Sequence, residues 1–137
     1  AILMTEDVAS SILPGDHGST FAGGPLVTHA AIAVFDRVQE EDFLDAVEAR
    51  GHQLRDGLAE ALQGNAHVVA VRGLGLMVGI ELDQPAGPVM TACRDDGLLV
   101  LTAGAGNVVR LLPPLIVKKE EVDSAVSTLA KAISALS

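Results

Sequence analysis

The chain has to build its interior almost without aromatic rings. Its 137 residues include three Phe and neither Trp nor Tyr, while 49% are hydrophobic. Packing therefore falls to Leu, Val, Ile and Ala, which fill a core by aliphatic burial rather than by large planar anchors. A chain of this length fits one domain, or one domain with a piece of another. Its apolar residues are divided between runs at helical spacing and short β-branched runs. From about residue 36 onward that division predicts a compact α+β unit, with helices covering one face of a small sheet.

Charge and the rarer residue types exclude several function classes. Eighteen acidic side chains against nine basic ones give a net charge of −9, which argues against nucleic acid or an anionic membrane as partner. The single cysteine, Cys93, excludes an intrachain disulfide and a Cys-rich metal site, and between Ala92 and Arg94 it reads as a packed thiol. His17, His29, His52 and His67 show no ligand spacing, and neither HExxH nor CxxC occurs, so no metal site is expected. No apolar run reaches membrane-spanning length and no stretch resembles a signal peptide, so the expectation is a cytoplasmic protein. The chain opens on Ala, and Ile2-Leu3-Met4 reads as the end of a strand. A fragment is expected.

Along the chain, Thr5-Glu6-Asp7 opens a short helix over residues 8–12, with Thr5 as cap and acids at the positive end. Pro14-Gly15 stops it. A glycine-rich loop follows, and a helix starts at Pro25 or Thr28 with Ala31, Val34, Phe35 and Val38 at helical spacing. After Glu40-Glu41-Asp42 a second run carries Phe43, Leu44, Val47, Leu54, Leu58, Ala61 and Leu62; the two runs read as one bent helix. Gly51 lies within the second stripe and permits close packing. Strands are expected over 67–72, 76–82, 98–101 and 108–112, with Gly73-Leu74-Gly75 as a turn or bulge between the first two. Pro88 begins a helix that Asp96-Gly97 ends. Residues 119–136 form an amphipathic helix with Val122, Val126, Leu129, Ile133 and Leu136 on one face.

Four features bear on chemistry. The stretch GDHGSTFAGGPL places Ser19 and Thr20 between glycines just ahead of a helix. Glycines let backbone approach a ligand, and hydroxyls and amides are donors to an anion; the plainer reading is a loop capped by Ser19 or Thr20. Arg110 stands in Val108-Val109-Arg110-Leu111-Leu112, a strand with no other polar side chain, where it shares a face with Val108 and Leu112. A guanidinium there either grips a carboxylate bidentately or is a structural salt bridge or a solvent-facing edge residue, and the residues alone leave both open. Gly73-Leu74-Gly75 lacks the third glycine and following helix of a dinucleotide loop. Glu81 and Asp83 read as surface or loop carboxylates rather than a general acid–base pair.

The segments ILMTEDVASSILPGDHGSTFAGGPL, VRGLGLMVGIEL, GLLVLTAG and VVRLLPPLIVKKEEVDSAV, in that order, resemble the C-terminal part of class III (subgroup II) pyridoxal-phosphate aminotransferases of fold type I, and the acetylornithine aminotransferases most. The resemblance implies an α/β and α+β chain. Residues 1–35 would end the large cofactor-binding domain, with an interface loop and the start of a linking helix. Residues 36–137 would form a small domain with a short, mainly antiparallel sheet covered by helices. It implies that Thr20 binds the cofactor phosphate of the partner subunit in a homodimer, that Ser19 lies beside it near substrate, and that Arg110 holds the substrate α-carboxylate. The implied reaction moves an amino group from N-acetylornithine to 2-oxoglutarate, a step of arginine biosynthesis. Other implied readings are an enzyme for ornithine, succinylornithine, an aminoadipate-derived semialdehyde or γ-aminobutyrate; the residues also admit a non-catalytic α+β ligand-binding module. The family more often carries Gly-Gly-Asn-Pro where this chain has Ala22-Gly23-Gly24-Pro25. Its Schiff-base lysine would precede Ala1, so no catalytic residue is expected here, and Lys118, Lys119 and Lys131 are read as residues of a solvated helix.

Overall fold

The computed structural model describes residues 2–16 and 18–136; the expectation for His17 lies outside them. Two compact units divide the chain, Ala1–Glu40 and Glu41–Ser137.

The first unit holds two helices. α1 spans Glu6–Ala9, shorter than the spacing suggested. Thr5 sits at its N-cap but makes no side-chain capping bond, and Ser10 and Ser11 instead turn their hydroxyls back onto the carbonyls of Asp7 and Val8. α2 spans Pro25–Val38. Its stripe of Val27, Ala30, Ala31, Val34, Phe35 and Val38 lines a shallow groove, and no residue of the helix is buried.

The second unit begins with α3, Glu41–Ala61. The expected single bent helix is thus two separate ones. The i→i−3 bond from Glu40 N–H to the Arg37 carbonyl tightens the end of α2, and Glu41 and Asp42 occupy the first turn of α3, where acids complement the positive end of a helix. After α3 come β1 (Val68–Leu74), β2 (Met77–Leu82), α4 (Gly87–Asp95), β3 (Leu101–Ala103), β4 (Val108–Leu111) and α5 (Lys119–Ser134).

The four strands form one sheet in the order β1-β2-β4-β3, and every neighbouring pair is antiparallel. The sheet is two hairpins joined through β2 and β4. Leu74 pairs with Met77, so the first hairpin turns on Gly75-Leu76, with Gly75 at φ +53, and Gly73 belongs to the strand. The irregularity in β1 lies between Val68 and Ala70. β3 starts at Leu101 rather than Leu98, and the turn that follows uses positive φ at Gly104 and Gly106.

Period-2 alternation decides which face is covered. Val78, Ile80, Leu82, Val109 and Leu111 project to the helical side, each 5% exposed or less. They pack with Leu54 and Leu58 of α3, Val89 and Cys93 of α4, and Val122, Leu129 and Ile133 of α5 in one aliphatic core. Val126 and Leu136 border it, so the whole expected stripe of the C-terminal helix meets the interior. The core holds no aromatic side chain; Phe43 is buried outside that cluster. Asn107 joins the second hairpin to the end of β2: its backbone carbonyl accepts from Leu82 N–H, and its side-chain amide donates to the Leu82 carbonyl.

Candidate functional site

Arg110 lies on the face that the helices leave open. β4 is an inner strand, and Arg110 stands directly opposite Gly79 of β2 on one side and Leu101 of β3 on the other. Gly79 is in turn paired with Arg72 of β1. Residues in direct register share a face, so Arg72, Gly79, Arg110 and Leu101 form one row across it. Gly79 contributes no side chain, and Val108 leans over it, its Cγ1 3.2 Å from where a Cβ on Gly79 would stand. A groove there is lined by Arg72, Met77, Gly79, Gly104, Val108 and Arg110. A second groove, with Leu99, Leu101 and Leu112, opens on the other side of Arg110.

The guanidinium of Arg110 lacks a carboxylate. Its Nε is buried and has no hydrogen-bond partner, and no ion pair reaches its side chain among the described residues. A buried charged donor left unsatisfied costs free energy unless a ligand supplies the acceptor. The expectation of an edge strand fails, because β4 is an inner strand, and no salt bridge holds Arg110 among the described residues. Glu81 is the acid on the same face, and its Oε2 accepts from Nη2 of Arg72 at 2.9 Å.

The glycine-rich loop belongs to the first unit. Ser19 Oγ accepts from the Phe21 N–H at 3.2 Å, and the Ala22 N–H donates to the Ser19 carbonyl at 3.1 Å, a local turn that fixes the Ser19 side chain. Thr20 is exposed, and its hydroxyl has no hydrogen-bond partner among the described residues. Neither residue caps α2. Gly24 holds the N-cap without a side-chain bond and Pro25 opens the helix, so the first-turn amides keep no side-chain acceptor. A free hydroxyl and uncapped amides at a helix start are a donor set that suits a phosphate dianion.

All three lysines are exposed and lie at or within α5. Lys119 Nζ donates to Asp123 Oδ2 and Lys131 Nζ to Asp96 Oδ2, each at 2.8 Å. The hydrogen bond to Asp96, aided by its charge, raises the Lys131 pKa above the ordinary lysine value. A Schiff-base lysine needs a neutral amine in a desolvated pocket, the opposite of these surroundings. His67 Nδ1 lies 3.1 Å from Asp83 Oδ1, a surface pair at the sheet end. Burial, with a smaller contribution from Asp96, pushes the Cys93 thiol pKa up, as expected of an inert packed cysteine. Among the described residues no cluster of His, Cys, Asp and Glu could hold a metal, and no helix is long and apolar enough to cross a membrane.

Sequence reasoning missed the Arg72–Glu81 pair and the register that sets Gly79 between Arg72 and Arg110. The signal was present in VRGLGLMVGIEL, because a turn centred on Gly75-Leu76 sets Arg72 opposite Gly79. A turn over Gly73-Leu74-Gly75 hides that register.

The profile of the family described as Aminotransferase class-III matches residues 1–133. The chain belongs to that family. It is 53% identical over 136 residues to the mitochondrial acetylornithine aminotransferase of Alnus glutinosa, covering 99% of this chain and 30% of that protein. The acetylornithine aminotransferase of Methanothermobacter thermautotrophicus is 42% identical, covering 99% of this chain and 35% of its own length. Solved structures agree. An ornithine aminotransferase from Toxoplasma gondii, with partial occupancy of PLP at its active site, superposes with a TM-score of 0.77 at 32% identity, over 94% of this chain and 31% of that one. The acetylornithine aminotransferase of Elizabethkingia anophelis gives 0.75 at 31% identity, over 96% and 35%. The chain thus spans about a third of the length of these relatives, and its α+β sheet unit is a class-III aminotransferase fold.

Proposed function

We propose that this chain forms part of a pyridoxal-phosphate aminotransferase that moves an amino group from N-acetylornithine to 2-oxoglutarate. The observation that carries the reading is Arg110: an unpaired guanidinium on an inner strand, its Nε buried without an acceptor and open grooves on both sides. A planar fork of this kind matches the carboxylate that glutamate and 2-oxoglutarate carry on the reacting carbon. Relatives named acetylornithine aminotransferases reach 53% identity over 99% of this chain, which supports the acetylated substrate.

Within this reading Thr20 donates its hydroxyl to the cofactor phosphate, helped by the uncapped amides of α2. Ser19, held by its own turn, shapes the loop beside substrate. The loop serves the site of the second subunit in a homodimer, and residues 1–35 belong to the larger cofactor-binding domain. Pyridoxal phosphate, when bound, supplies the electron sink for the reaction. The lysine that joins it is none of Lys118, Lys119 and Lys131, which are exposed at or within α5, Lys119 and Lys131 in carboxylate pairs.

Arg110→Lys in the full-length enzyme tests the reading. Lysine keeps the charge and loses the bidentate fork, so kcat/KM falls by about one and a half to three and a half decades for glutamate and 2-oxoglutarate, whose carboxylate adjoins the reacting carbon, equivalent to roughly 2–5 kcal/mol. Amines without an α-carboxylate lose far less. An equal loss on both substrate classes, accompanied by a lower melting temperature, would return Arg110 to a structural role.

A further inference from the structure

Arg110 rises through a ring of hydrocarbon on its own sheet face. Leu101 of β3 stands directly opposite it, and Gly79 on the other side brings no side chain. Val108 is two residues back along β4 and so on the same face. It fills the space over Gly79 and is only 8% exposed. Leu112, two residues on, joins Leu99 and Leu101 in walling the groove beside Arg110. Within this ring the Arg110 Nε is buried and makes no hydrogen bond among the described residues.

Water competes with any anion for the donors of a guanidinium. A contact made where water is excluded is therefore electrostatically stronger than the same contact in solvent. Two members of the ring have other reasons for their place: Val108 is packed down on the sheet, and Leu112 lies past the last paired residue of β4. Leu101 differs. It is in direct register with Arg110, on an edge strand of three residues. It is 56% exposed and stands outside the aliphatic core, so core packing does not require a leucine there.

We propose that Leu101 is a specificity-determining residue that acts through Arg110: it keeps water off the guanidinium and so strengthens its hold on a substrate carboxylate. This rests on the reading of Arg110 as the carboxylate grip. The two amino donors then respond differently. Glutamate carries a carboxylate on the reacting carbon, whereas N-acetylornithine carries its carboxylate at the other end of the chain from the reacting amine. Leu101 therefore sets affinity for glutamate and 2-oxoglutarate and has little bearing on N-acetylornithine.

The test uses the full-length holoenzyme and follows the half-reaction with each amino donor separately through the cofactor's absorbance. Leu101→Asn keeps a branched side chain but brings a polar amide beside Arg110, and Leu101→Ala opens the same space to water. Each raises the half-saturating glutamate concentration by about tenfold, the scale of one hydrogen bond, and shifts that of N-acetylornithine by less than about twofold. Leu101→Met restores the hydrocarbon and recovers most of the loss. Equal losses with both donors overturn the proposal, because a distorted sheet harms both alike, and so does unchanged glutamate saturation in both variants. Arg110→Lys run alongside separates the two ideas. If it leaves glutamate saturation intact, the grip itself is misassigned; if it weakens glutamate strongly while Leu101→Asn does not, only the role of Leu101 falls.

Discussion

Gly51 of α3 lies against the backbone of Gly75 in the β1–β2 turn, so close that a Cβ built on Gly51 would stand 2.5 Å from the Gly75 carbonyl oxygen. The obstacle is backbone, held by the adjacent Leu74–Met77 pair and by the positive φ of Gly75, and it cannot rotate away as a side chain would. The absent side chain at Gly51 is what lets the helix seat on the hairpin.

Gly57, two turns further along the same helix, provides the control. A Cβ there meets Val126 Cγ2 at 3.4 Å, an ordinary van der Waals contact. Replacing Gly by Ala inside a helix gains up to about 1 kcal/mol from backbone propensity, whereas forcing a methyl into an occupied site costs about 1–3 kcal/mol or more. Gly57→Ala should therefore raise the urea midpoint and Gly51→Ala should lower it. The same sign for both would show that α3 shifts freely over the turn.

The pH dependence of the α3–α5 contact follows from Asp123. Its carboxylate accepts from Lys119 Nζ at 2.8 Å and from Gln53 Nε2 at 2.6 Å. These hydrogen bonds, that of Lys119 first, hold its pKa below the ordinary aspartate value. A lowered native pKa means the contribution is complete above the unfolded value of about 3.9 and disappears as pH falls through the native one. Asp123→Ala should thus be less stable than the parent at pH 6, and the gap should close progressively below about pH 4. Urea titrations of both proteins across that range check it; a gap that stays constant with pH would assign the loss to packing rather than to the ionised carboxylate.

The extent to which sequence foretold these contacts depends on the range of the signal. The α5 stripe was legible because five apolar positions at helical spacing admit one buried face. Arg110 was legible as a charge in an apolar strand, but its lack of a partner was not, because pairing depends on which strands are neighbours. The β2–β4 adjacency that sets Gly79 against Arg110 joins residues far apart in the chain. The break between α2 and α3 was misread because Glu40-Glu41-Asp42 suits a helix interior on a solvated face as well as a helix start. Thr5 has the composition of a cap and the N-cap position, yet its hydroxyl makes no capping bond, a matter of side-chain rotation that composition does not encode.

Thr20 supplies the last prediction. Its hydroxyl makes no hydrogen bond among the described residues, whereas that of Ser19 accepts from Phe21 N–H and is held in the loop's own turn, so Thr20 is the hydroxyl that no internal bond orients. In the proposed enzyme, Thr20→Ala removes one charge-assisted hydrogen bond to phosphate, worth roughly 1.5–3 kcal/mol, or about one to two decades in cofactor affinity. The loss should appear in cofactor retention on dialysis, with a smaller effect on turnover at saturating cofactor. Mixed dimers then locate the site. One subunit carries Thr20→Ala and the other lacks the Schiff-base lysine, and cofactor is kept limiting. If the loop serves the partner's site, one composite site carries both lesions and the other neither, and activity stays near half that of the parent. If Thr20 acts within its own subunit, each site carries one lesion and activity collapses, which would overturn the crossed arrangement.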